Sequence, residues 1–272
     1  MNDAMKNHAT TFRRLHAGPD VLILANAWDA GSARLIESWG AKAIATTSAG
    51  VAWSQGYPDG DTLPVTLLVG TVAAIARVVQ VPLTADVEGG YSADPAAAGE
   101  TVARVIEAGA VGINIEDGKG APELLCAKIE HAKRAAARLG VDLYVNARTD
   151  VYLRGLASGS AALEETIARG RRYRAAGCDG LFVPGIVEKN DISALVAAVD
   201  VPLNVLAWPG LPPAAELRAL GVRRLSACAS VARAALGGAH AFAAAFLAHG
   251  RSDLPSILPM TSAQLNGLFA KT

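Results

Sequence analysis

Short apolar runs alternate with longer segments of helical spacing from one end of this chain to the other. The runs read VLILANA (21–27), KAIATTS (42–48), PLTADVE (82–88), VGINIED (111–117), DLYVNAR (142–148), GLFVPGI (180–186), PLNVLAW (202–208) and RRLSACA (223–229). Apolar runs of this length, bounded by turn signals, predict buried strands. The segments between them, such as DPAAAGETVARVIEAG and SAALEETIARGRRYRAAG, carry an apolar stripe and end in glycine, as helix C-termini often do. EAGAVGI recurs in variant form as SWGAKAI, AAGCDGL and ALGVRRL, each time closing a helix and feeding a new strand. Eight strand–helix units without a break in composition predict an α/β fold, a closed (β/α)8 TIM barrel. The chain reads as one domain over 1–272, with 229–272 as a C-terminal helical segment. A doubly wound open sheet is the alternative, but no strand is followed by the dinucleotide-binding G-x-G-x-x-G.

Inside a barrel, alternate strand residues point inward and function collects at the C-terminal strand ends. On the third run Thr84, Asp86 and Glu88 share a face; on the fourth, Asn114 and Glu116; on the fifth, Asn146 and Arg148. Two like charges about 4 Å apart, at an effective dielectric of about 20, repel by about 4 kcal/mol. Three inward carboxylates must therefore be protonated, paired with Arg148 or neutralised by a cation. Carboxylate ligands without His or Cys select a hard ion, Mg²⁺ or alternatively Mn²⁺, that keeps waters and leaves positions for substrate oxygens. An ion-pair network centred on Arg148 would satisfy the same charges without metal. Both readings stand at this point.

Composition narrows the partners. The formal net charge of +0 argues against a nucleic-acid binder, and the basic cluster RGRRYR (169–174) reads as a solvated helix face. Three widely spaced cysteines, Cys126, Cys178 and Cys228, form neither a disulfide framework nor a metal motif, so a cytoplasmic protein is expected. The first residues, MNDAMKNHATTFRRLHAG, lack the apolar region of a secretory signal. VARAALGGAHAFAAAFLAHG (231–250) is long enough to span a bilayer. It is built mostly of alanine, however, and holds Arg233, His240 and a Gly237–Gly238 pair. It reads as a buried or subunit-interface helix, with no membrane partner.

TADVEGGYS (84–92), INIED and VNARTD, in that order, resemble the isocitrate lyase/phosphoenolpyruvate mutase superfamily. NAWDAGSARLIE (26–37) resembles its first strand–helix unit and GYPDG (56–60) its loop after the second strand. The resemblance covers most of residues 20–210. It implies a Mg²⁺-dependent barrel enzyme acting on small α-oxo or 2-hydroxy carboxylates. It also implies a homo-oligomer, dimer or tetramer, with C-terminal helices exchanged between subunits, which would give 229–272 its role. By position, Asp86 resembles the principal metal carboxylate, and Glu88 stands where a second Asp is more usual. Glu116 resembles a further metal-shell acid with a part in catalysis, and Asp59 an acid near the metal waters. Arg148 resembles the catalytic residue that holds a substrate carboxylate, which its planar fork suits. Ser48, Ala49 and Gly50 resemble the loop whose amides receive other substrate oxygens, with Trp28 and Asp29 beside it.

One part of the pattern is missing. The family's lyases carry a cysteine in a flexible K-[KR]-C-G-H loop after the fourth strand. Here the chain reads EDGKGAPELLCAKIEHAKR, with only five residues between Glu116 and Pro122. The mutase-type loop is absent as well. Cys126 falls in the next helix as a small apolar residue, and Lys119 reads as a solvated loop lysine. A replacement acid or base comes from Tyr91, Tyr152 or Asp150. Tyr91 is preferred because the two glycines before it let the backbone approach the site. Cys228 closes the eighth run and faces the mouth by position. The first expectation is a Mg²⁺-dependent lyase that cleaves a C–C bond of an isocitrate- or 2-methylisocitrate-like acid, with weak turnover. The alternatives are phosphoenolpyruvate/phosphonopyruvate mutase or hydrolase chemistry, oxaloacetate decarboxylation, or non-catalytic binding of an oxo-dicarboxylate.

Overall fold

The structure, a computed structural model, describes residues 3–252 and 260–269. Every predicted run becomes a strand. The first is split at Ala25 into β1 (Leu22–Leu24) and β2 (Asn26–Ala27). Then follow β3 (Ile44–Thr46), β4 (Leu83–Asp86), β5 (Gly112–Glu116), β6 (Tyr144–Arg148), β7 (Gly180–Val183), β8 (Leu203–Leu206) and β9 (Arg224–Ser226). All neighbours pair in parallel in the order β1-β9-β8-β7-β6-β5-β4-β3-β2. Because β1 pairs with β9 and β2 with β3, the two halves of one broken stave close the ring. This is the (β/α)8 barrel.

The glycines of the recurring phrase do what the pattern implied. Gly40, Gly109, Gly177 and Gly221 take φ of +84°, +115°, +104° and +91°, a left-handed backbone that turns each helix into the next strand. On β5 and β6 the outward residues Ile113, Ile115, Val145 and Ala147 are fully buried beneath the surrounding helices. The inward residues are polar. Asn146 Nδ2 donates to Asn114 Oδ1 at 2.9 Å and to Asn204 Oδ1 at 3.0 Å, and Asn204 Nδ2 to Ser226 Oγ at 2.8 Å. This amide layer crosses the barrel interior at mid-height.

Below it, the helix Asp3–Ala17 plugs the N-terminal end. Phe12 packs with Leu22, Leu24, Ala43, Ala45, Val111 and Tyr144 in an apolar cluster. His16 stacks on the Tyr144 ring at 4.1 Å. Arg224 spans the interior from β9, 1% exposed, and Nη2 reaches Asn114 Oδ1 at 3.2 Å.

The periphery fills in two expectations. Residues 169–174 are an ion-paired face: Arg169 binds Glu165 and Asp117, Arg172 binds Glu123, and Arg174 binds Asp200. The Ala-rich helix, Ser230–His249, is not buried within this chain: Ala232 is covered, while Leu236, Phe242, Phe246 and Leu247 are exposed.

Candidate active site at the C-terminal mouth of the barrel

Asp86 ends β4, buried and facing inward. Its two oxygens receive only long bonds, from the Ser48 amide at 3.3 Å and the Glu88 amide at 3.4 Å. Burial pushes its pKa up, against the opposing charge of Arg148. Glu116 ends β5, and its carboxylate meets Arg148 Nη1 at 2.7 Å. Burial still pushes Glu116 up to about 8, with Asp86 and Asp150 adding repulsion. The mouth therefore carries more negative charge than its one inward guanidinium relieves.

Arg148, at the end of β6, is gripped from two sides. Nε and Nη2 bind the Asp150 carboxylate at 2.7 and 3.2 Å, and Nη1 binds Glu116. Burial alone would lower its pKa, but Glu116 and Asp150 more than offset this. Three of its five N–H groups are engaged and two remain for a ligand. Asp150 is itself fully buried; Arg154 Nε binds it at 2.6 Å, and its backbone N–H donates to Asp117 Oδ1 at 2.9 Å. Asp117 is in turn held by Arg169 and by the Tyr173 hydroxyl at 2.6 Å.

The expected TADVEGGYS array divides at the strand's end. Glu88 lies beyond β4 with φ +49°, which turns its side chain onto the neighbouring loop. Glu88 Oε2 accepts from the amides of Gly60, at 2.8 Å, and Asp61, and Oε1 accepts from the Tyr91 hydroxyl at 2.7 Å. Asp61 reciprocates: its Oδ1 accepts from the amides of Gly89 at 3.1 Å and Tyr91 at 3.0 Å. Both glycines now have a reason. A Cβ on Gly89 would stand 2.6 Å from Asp61 Oδ2, and one on Gly90, at φ +89°, would stand 2.8 Å from Ala98 Cβ. Asp61, Glu88, Tyr91 and Cys228 are the non-glycine residues with positive φ among the described residues. Three of the four belong to this one turn-and-loop clamp, strain of the kind that collects at functional sites.

The remaining candidates separate cleanly. Ser48, Ala49 and Gly50 are not a loop; they open a short helix, Ser48–Ser54, that no side chain caps. Its first-turn amides face the Asp86 carboxylate through Ser48. A Cβ on Gly50 would lie 2.8 Å from Trp28 Cβ and 3.1 Å from Ala232 Cβ, so the Ser230–His249 helix starts against this corner. Asp29 caps the helix Ala30–Ser38 through Ser32, a structural duty. Asp59 is exposed on the loop, close enough to raise both Asp86 and Glu88. Tyr152 points away, its hydroxyl on Asp191 at 2.9 Å, and Asp150 is committed to two arginines, which leaves Tyr91 of the three acid/base candidates. Lys119 is exposed in a tight turn. Cys228 is part-buried beside the acids, and burial, then Asp86, pushes its thiol up to about 12.

Among the described residues no three His, Cys, Asp or Glu side chains converge closely enough to cage a metal by themselves. The donors present nonetheless fit a hydrated hard ion. They are all oxygen, and Asp86 is buried, weakly bonded and in excess over local positive charge. Mg²⁺ keeps several waters and takes one or two direct carboxylates in such a site.

Relatives share this architecture. The sequence profile of the phosphoenolpyruvate phosphomutase family matches residues 12–247. The chain belongs to that family. An uncharacterized protein of Mycobacterium tuberculosis is 37% identical over 93% of this chain and 95% of its own length. The oxaloacetate decarboxylase of Paraburkholderia xenovorans is 32% identical over 70% of this chain and 65% of its own. A solved phosphonopyruvate hydrolase, in complex with oxalate and Mg²⁺, superposes with a TM-score of 0.82 at 25% identity, covering 96% of this chain and 95% of that one. The phosphomutase family, within the superfamily it shares with isocitrate lyase, comprises lyases and mutases; this chain is an enzyme of that kind.

Proposed function

We propose that this phosphomutase-family enzyme is a Mg²⁺-assisted carbon–carbon lyase whose substrate is a short α-oxo dicarboxylate of the oxaloacetate type, cleaved by loss of carbon dioxide. The observation that carries this reading is an acid-rich mouth with one inward guanidinium fork, set beside a five-residue connection, 117–121, whose Asp117 is tied to Arg169 and Tyr173 and whose Lys119 is exposed, and which holds no cysteine nucleophile or free buried base. Loss of the distal carboxylate needs neither. The C–C bonding pair moves toward the oxo group, and the carbon left behind takes a proton. Cleavage of a 2-hydroxy tricarboxylate needs both a base for the hydroxyl and an acid for the departing carbanion. Tyr91 on Glu88 offers one such group.

The reading assigns each residue a task. Arg148 binds the substrate's α-carboxylate with its two free N–H groups. Asp86, with Glu116 and Asp59, would hold the ion. The bound ion would supply Lewis-acid polarisation of the oxo group. The amides of Ala49 and Gly50, with Trp28 behind them, receive the substrate's outer oxygens. Tyr91, held protonated by burial and by Glu88, turns its hydroxyl from Glu88 to give the proton to the carbon and takes one back from solvent. The exposed Phe242 and Phe246, ring centroids 6.1 Å apart, support packing of the Ser230–His249 helix on a second copy of the chain, measurable as molar mass in solution.

The test is a substrate panel with purified protein and Mg²⁺: oxaloacetate, 2-methylisocitrate and phosphonopyruvate. Carbon dioxide from oxaloacetate well above the rate with Mg²⁺ alone is the expected result. Cleavage of the tricarboxylate, or a phosphorus signal shift with phosphonopyruvate, in place of decarboxylation would overturn the assignment.

A further inference from the structure

Lys128 has no part in any step above, yet it is one of the few buried cations in the fold. It lies on the helix Pro122–Leu139, 7% exposed, with no carboxylate within ion-pair distance among the described residues. Its Nζ donates instead to the carbonyl of Gly89 at 2.5 Å. Burial lowers the pKa of this ammonium, and the charge of nearby Asp61, too far for an ion pair, opposes the shift. The same peptide is held from its other side. The Gly89 amide donates to Asp61 Oδ1, which also takes the Tyr91 amide. One glycine thus has its N–H fixed by a residue 28 positions earlier and its C=O by a residue 39 positions later. The flanking residues Glu88 and Tyr91 carry the left-handed φ of +49° and +57° that this geometry imposes.

We infer that Lys128 and Asp61 are positioning residues that clamp the Gly89 peptide and thereby set the Tyr91 hydroxyl over Glu88 at the height where it meets substrate. Three features support this beyond a packing role. The lysine's stem would cover the same surface with any apolar head. Gly89 admits the Asp61 carboxylate only because it lacks a side chain. The clamp converges on a turn whose other product is the Tyr91–Glu88 bond of 2.7 Å. The effect on turnover rests on Tyr91 being the proton donor of the proposed reaction.

The experiment combines Lys128→Met and Lys128→Arg, each in the native and the Tyr91→Phe background, with amide hydrogen exchange over residues 88–91. The methionine keeps the stem and removes the donor. In the native background it should lower kcat by about 10- to 100-fold, shift KM by less than about threefold and speed exchange at 88–91. Arginine should restore most of kcat. In the Tyr91→Phe background, Lys128→Met should cost little further, because the group it positions is already gone. An equal loss in both backgrounds, or unchanged exchange, would overturn the inference. If the native enzyme shows no turnover of oxaloacetate, the decarboxylase reading falls by itself. The exchange measurement then decides the clamp alone: faster exchange in Lys128→Met upholds it and unchanged exchange removes it.

Discussion

The two ends of the barrel interior both bury charge, and they handle it in opposite ways. At the base, Arg224 bonds only a neutral partner, Asn114, with Tyr144 and His16 beside it beneath a helix that seals the barrel, and the charge of Asp86 reaches it without an ion pair. Its Nε and Nη1 meet no protein acceptor, and burial lowers its pKa to about 10. At the mouth, Asp86, Glu116 and Asp150 crowd around Arg148, and Glu116 is pushed up to about 8. At the base positive φ falls on glycines such as Gly40, Gly109, Gly177 and Gly221, whereas the mouth gathers the non-glycine residues with positive φ, Asp61, Glu88, Tyr91 and Cys228. Charge excess and backbone strain coincide at one end only. That coincidence, rather than buried charge as such, marks the catalytic end.

Four measurements would break or sharpen this contrast. Asp86→Asn should have the largest effect. It removes the carboxylate proposed to hold the ion, so Mg²⁺-dependent oxalate binding by calorimetry should disappear and turnover fall about 10³-fold or more. Unchanged binding would remove the metal from the mouth. Tyr91→Phe should lower kcat about 100-fold while leaving oxalate affinity close to native. A loss of affinity without a loss of kcat would make Tyr91 a binding group.

Third is the base. His16 is held neutral, its pKa lowered from 6.5 to about 3, first by burial and then by Arg224. A His that protonates more readily when unfolded weakens folding as pH drops below 6.5, by about 1.4 kcal/mol per pH unit until its folded pKa is approached. His16→Phe keeps an aromatic ring on Tyr144, so it should flatten denaturant stability across that acid window. An unchanged slope would place the acid sensitivity at the mouth instead. The smallest effect is expected from Arg224→Met. It trades a poorly compensated buried charge for an apolar chain, so kcat/KM should stay within about threefold and stability within about 2 kcal/mol. A loss comparable to Asp86→Asn would join the base to the active site.

Legibility varied with the range of the interaction. Asp86, Glu116 and Arg148 could be read directly, because a period of two places them on the inner face and charges at the end of an apolar strand conflict with burial. Glu88 had the right parity but lies past the last residue of β4, where φ +49° ends the alternation. Parity therefore did not show that the fold would also use Glu88 to anchor a loop. Ser48, Ala49 and Gly50 looked like a loop because seven residues are too few to show helical periodicity. Lys128 had no local signature. On its helix it is one lysine among several polar residues, and only the packing of Pro122–Leu139 against the Pro95–Glu107 helix brings it beneath Gly89.

The sequence by itself determined the barrel, the glycine-closed helices, the inward carboxylates and Arg148, and the family. Each of these follows from periodicity or from motifs that are local in the chain. Only the tertiary structure decided how the charges are shared: that Arg148 is split between Glu116 and Asp150, that Glu88 answers to Gly60 and Asp61, and that two distant side chains pin Gly89. The physical reason is that burial and Coulomb energies depend on distance in space. Residues 28 to 39 positions apart acquire a mutual distance only when the barrel closes.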